Sequence, residues 1–193
     1  NAPALGNLQI VSLGSGAATV RASINTGGGA TTYYLAYGTT KALGHRTSIG
    51  SSAASHAITW QLRGLAAGKI YYLQAVAANG AGTRRGPLVR VRTSPVTVGK
   101  ITAHGSTVRV ALRSHTASSC RVHLTIKVGK VTIGSGNVTV RGNRTATVTL
   151  KLNQAAASRA THGKSAQAIL SAISVYNGHA ATVSTKFRVS VAS

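Results

Sequence analysis

The chain has 193 residues, 43% of them hydrophobic, with 22 Lys and Arg, seven His and no Asp or Glu, for a formal net charge of +22. No apolar run approaches the roughly 20 residues that a bilayer-spanning helix needs, so a helical membrane crossing is excluded. The sequence as it stands also excludes chemistry in which a carboxylate shares a proton, orients a histidine or cages calcium.

In chain order, no methionine and no signal-like segment precedes Asn1, which predicts a mature product with its targeting segment removed. Period-two alternation then recurs at Val20, Ala22 and Ile24, and in TTYYLAYGTT at 31–40 with Tyr33, Leu35 and Tyr37 on one face. It returns at Ile58, Trp60 and Leu62, at Tyr71, Leu73, Ala75 and Ala77, and at Leu88, Val89 and Val91. Alternation of this kind gives a strand one apolar and one polar face, and a helical period would scramble it. Trp60 is thereby a structural residue, and Ala36 takes the solvent side of its strand with Tyr34. TGGG at 26–29 and NGAG at 79–82 are turns between strands. The first is no phosphate cradle, because no helix N-terminus follows it. Arg84, Arg85, Arg90 and Arg92 form the densest basic group. They either guard a sheet edge against aggregation or form a patch for an anionic polymer or an acidic neighbour.

Ser94-Pro95 divides the chain into expected domains at 1–94 and 95–193, since proline suits a linker or a strand's first residue. Beyond it come Val108, Val110 and Leu112, then Cys120, Val122, Leu124, Ile126 and Val128 with Arg121, His123, Thr125 and Lys127 facing out. Ala146, Val148, Leu150 and Leu152 follow, and Val183, Thr185, Phe187, Val189 and Val191 close the series. Between them the alanine-rich segment 154–162 predicts two helical turns closed by Gly163, with His162 favourable at the C-terminal dipole. Cys120 begins an inward series, which suits a buried thiol or half of a disulfide. The histidines at 45, 56, 104, 115, 123, 162 and 179 have no metal-ligand spacing, and no G-x-S-x-G elbow presents a serine. Asn137-Val-Thr and Asn143-Arg-Thr match the glycan acceptor pattern.

The charge has three readings. One is a polycation for nucleic acid or another polyanion, although the basic residues fall singly along strands instead of clustering. The others are deliberate supercharging, and a recorded sequence in which carboxylate residues stand as Ala, Ser or Asn. Nucleic acid is a partner only under the first.

LAAGKIYYLQAVAANGAGT at 65–83 resembles the segment of a fibronectin type III domain that leads through strand F into strand G. The resemblance makes Tyr71 the corner tyrosine, its hydroxyl bonded to backbone near Leu65. TTYYLAYGTT resembles strand C of the variant found in secreted proteins of high-GC bacteria, where an outward Glu is usual at the position of Ala36. VTLKLNQAAASRATHGK at 148–164 and YNGHAATVSTKFRVSV at 176–191 are similar to a bacterial immunoglobulin-like sandwich. There the turn at Asn177 usually holds Asp, and the 114–120 loop tends to carry two cysteines where this chain has Ser114 and Cys120.

The expectation is an all-β protein of two tandem antiparallel β-sandwiches, non-catalytic and without a cofactor. It is expected to be secreted to a bacterial surface and to serve there as a structural or adhesive unit. Its partners would be further copies in a filament or tube, or cell-wall and surface glycans; polyanion binding is the alternative.

Overall fold

Period-two alternation becomes strand almost throughout the computed structural model, which describes residues 1–161, 164–176 and 178–190. The helix-closing pair His162 and Gly163, the turn residue Asn177 and Val191 of the last expected strand lie outside the described residues. The fold is all-β, two tandem antiparallel sandwiches. One compact unit comprises Asn1–Thr93 with Tyr176–His179, and the other Ser94–Val175 with Ala180–Ser193.

In the first unit the strands are β1 (Ala4–Leu5), β2 (Gln9–Leu13), β3 (Ala17–Asn25), β4 (Thr31–Gly38) and β5 (His45–Arg46). β6 (Gly50–Ser52), β7 (His56–Arg63), β8 (Ile70–Asn79), β9 (Gly82–Arg85) and β10 (Val89–Arg92) complete it. β3 carries β1 and β2 along one edge and β7 along the other. The opposing sheet has β8 paired with β4, β9 and β10, while β5 and β6 share the far edge of β4. The β3–β7 register sets Val20 opposite Trp60 and Ala22 opposite Ile58. All four are buried, as are Leu35 and Leu73 from the other sheet, so the inward faces meet as one apolar layer.

Two expectations fail in this unit. Ala36 is not on a solvent-exposed face: it is 7% exposed, although its register partner is the outward Gln74. Val76, on the same outward side of β8, is 1% exposed. This sheet is therefore covered on both sides over part of its area, and alternation lapses at Ala75, Val76 and Ala77, all buried. Leu88, expected inside, is 40% exposed, because it sits in the break between β9 and β10, ahead of the strand that buries Val91.

The second unit contains β11 (Val96–His104), β12 (Thr107–Ser114), β13 (Cys120–Val128), β14 (Val131–Val140), β15 (Thr145–Lys151), α1 (Gln154–Thr161) and, apart from their end residues Tyr176 and His179, β16 (Ala166–Tyr176) and β17 (His179–Val189). One sheet runs β11-β12-β15 and the other β14-β13-β16-β17. Val110, Leu112, Leu124, Ile126 and Leu170 are fully buried in a shared core. β13 keeps the expected alternation, with Arg121, His123 and Lys127 exposed between buried neighbours. α1 begins where Asn153 Oδ1 accepts from the Ala156 N–H at 3.1 Å, a side-chain cap. It is anchored by Ala157 and Thr161, both buried, and Thr161 spends its hydroxyl on Ala157 O at 2.9 Å. Pro95 immediately precedes β11, and its carbonyl accepts from the His115 N–H at 2.8 Å.

Candidate functional site

β9 and β10 lie end to end along one edge of β8 and carry all four arginines singled out from the sequence. Arg85 pairs with Val76, Arg90 with Tyr72 and Arg92 with Ile70, so these three share the outward face. Arg84, opposite Ala77, takes the other face. Arg92 Nε donates to Gly68 O at 3.1 Å, which ties its guanidinium to the β7–β8 turn. The four residues do not converge on one point.

A different set does converge. Ala36 pairs with Gln74 on one side and Arg46 on the other, and Tyr34 pairs with Val76, which pairs in turn with Arg85. Two adjacent rows on one sheet face thus bring Arg46 and Arg85 toward the Ala36 methyl from opposite sides. They line a cavity of about 280 Å³ with Tyr34, Ala36, Ala42, Leu43, Gly44 and His45. Arg46 lies over the Tyr34 ring, 5.8 Å from its centroid, where the ring's negative face favours a cation.

The wall formed by residues 39–44 depends on Gly38. A Cβ there would meet Gly44 N at 2.9 Å and Leu43 Cα at 3.1 Å, so glycine lets the loop fold down onto the strand. Leu43 adopts φ 53°, rare for a branched side chain, and its N–H reaches Thr40 O at 3.2 Å. The loop thus lies close over the strand, and the Ala36 side is covered. Since the chain has no Asp or Glu, none of its own side chains supplies a carboxylate to either guanidinium.

The remaining singled-out residues serve the framework. The Tyr71 hydroxyl accepts from the Ala66 N–H at 2.9 Å. Trp60 is 6% exposed and meets Tyr33 edge-on, with centroids 6.5 Å apart. Cys120 is a free, buried thiol, its Sγ 3.8 Å from Ser114 Oγ and 3.8 Å from Val140 O. Among the described residues, no three His or Cys gather as a metal set, and no helix is long and apolar enough to cross a membrane. Sequence reasoning passed over Arg46 because it lies far along the chain from Arg85. The usable signal was Ala36 itself, a methyl group in a position read as outward.

No family model matches the chain, and no curated protein matches it. Among solved structures, the chicken CNTN1 FN1-FN3 domains are similar at 13% identity, covering 100% of this chain and 67% of that one, with a TM-score of 0.40.

Proposed function

We propose that the chain is a non-catalytic structural or adhesive unit on the outer surface of a bacterium. The observation that carries this reading is the tandem repetition of one design. Each unit has its own apolar core beneath outward strand faces carrying Arg, Lys, Ser and Thr, as in β3 of the first and β13 and β15 of the second. Such bodies present wide, firm surfaces for contact, and their side chains are invested in packing. Within this reading the fold pairs a fibronectin type III-like first domain, near 1–94, with a bacterial immunoglobulin-like second, near 95–193.

Self-association into a filament is the stronger form of the proposal. It is tested by sedimentation and electron microscopy of the purified chain across protein and salt concentration. Polymers at high salt, where repulsion among +22 charges is screened, are expected. A monomer at every concentration contradicts the filament. Beads coated with the chain test adhesion, and their failure to bind source cells contradicts that form.

The row of Arg85, Arg90 and Arg92 on one outward face supports a second reading, binding of an extended polyanion such as nucleic acid or an anionic cell-wall polymer. That reading expects affinity for DNA or heparin that falls steeply with salt. Binding indifferent to salt rules it out.

A further inference from the structure

We propose that the cavity over Ala36 is a pocket for the carboxylate of an acidic peptide segment on a partner molecule, held between Arg46 and Arg85. The inference rests on the adhesive reading and specifies the chemistry of what is gripped.

The chemistry follows from the walls. Ala36, Ala42, Leu43 and the Tyr34 ring give an apolar lining, while Arg46 and Arg85 supply the polar rim. A glutamate side chain has the matching profile, with methylenes for the lining and a planar oxyanion for the guanidinium forks. About 280 Å³ admits such a side chain with room for water. A nucleic-acid backbone fits less well: its phosphates call for cations spread along a track and carry no aliphatic stem to cover the apolar wall.

The occupant comes from another kind of molecule. A second copy of this chain has no Asp or Glu side chain to place there. Arg46 and Arg85 are themselves exposed, so they are open to a partner. The cavity rim is also built with care: Leu43 at φ 53° and the Gly38 contact hold the loop close to the strand. Elsewhere, β13 spaces Arg121 and Lys127 singly along an open face.

The test titrates a fluorescent oligoglutamate peptide against the whole chain, with the oligoglutamine peptide as blank. Arg46→Gln with Arg85→Gln is expected to weaken binding about tenfold or more, as is Ala36→Glu, which tethers a carboxylate inside the pocket. Arg109→Gln with Arg121→Gln removes the same charge from the second unit and is expected to change affinity less than about twofold. Thermal melts confirm that each variant is folded, and Ala36→Glu probes the pocket without deleting a cation. Equal weakening by both double variants overturns the pocket in favour of diffuse charge. Unchanged binding by Ala36→Glu overturns it outright, and tighter binding of polyuronate or polyphosphate than of oligoglutamate overturns the choice of occupant. Chain-coated beads separate the two proposals. If the chain binds oligoglutamate while the beads ignore cells, the pocket stands and adhesion falls; if beads adhere through Arg46→Gln with Arg85→Gln unchanged, adhesion stands and the pocket falls.

Discussion

The six-stranded sheet of the first unit and the four-stranded β14-β13-β16-β17 sheet of the second turn different outer faces to water. β13 alternates cleanly, its exposed Arg121, His123 and Lys127 separated by buried apolar residues. β8 loses that alternation where Val76 goes under cover, and its neighbour β4 does the same at Ala36. An antiparallel sheet can leave one face wet, and the second unit does. In the first unit a folded-down loop and long side chains cover part of that face, since an arginine stem can lie over apolar surface while its head stays in water. Charge placed over a covered patch is localised, whereas charge spaced along an open strand is diffuse. That contrast sets the Ala36 cavity apart from the rest of a uniformly basic surface.

The sharpest way to break the comparison begins in the core, where the units should behave alike. Leu35→Ala and Leu124→Ala each remove a fully buried side chain and are expected to cost about 3 kcal/mol in denaturant unfolding. The outer faces should then part company. Val76→Ala is expected to cost about 2 kcal/mol, against less than about 0.5 for Thr125→Ala on β13. Ser114→Cys is expected to close a short disulfide with Cys120, because the two side chains already approach to 3.8 Å. The oxidised form should gain about 2 kcal/mol, lost again on reduction. Tyr71→Phe deletes the acceptor for the Ala66 N–H and is expected to cost about 1 kcal/mol.

Much of the framework was legible in the sequence, because burial on one face imposes a period of two. Val20 to Ile24, Ile58 to Leu62 and Cys120 to Ile126 all fall where that period puts them. β14 was not legible. Gly134 and Gly136 interrupt its pattern where neighbouring atoms already come close, Lys151 O at 3.3 Å from a Cβ at Gly134 and Leu150 Cδ2 at 2.8 Å from one at Gly136. β16 hides its inward positions in small residues, with Ala168, Ala172 and Ser174 beside Leu170. The covered outer face left a trace in AVAA at 75–78, a continuous apolar run of the kind that strands buried on both sides show. The Ala36 cavity left only that residue's methyl group as a trace, since nothing local announces that Arg46 and Arg85 will flank it. Peptide masses across 31–40 bear on it directly. Alanine at 36 leaves the cavity to an external group, while a glutamate mass there would fill it from within.

Thiol labelling tests the difference between the two outer faces most directly. In a Cys120→Ser background, a single cysteine replaces either Val76 or Arg121, and its rate of alkylation is followed under native conditions. The covered position should react on the order of a hundredfold more slowly, through local opening, than the one on β13. Equal rates would mean that the first unit's sheet lies as bare as the second's, and the distinction between them would be lost.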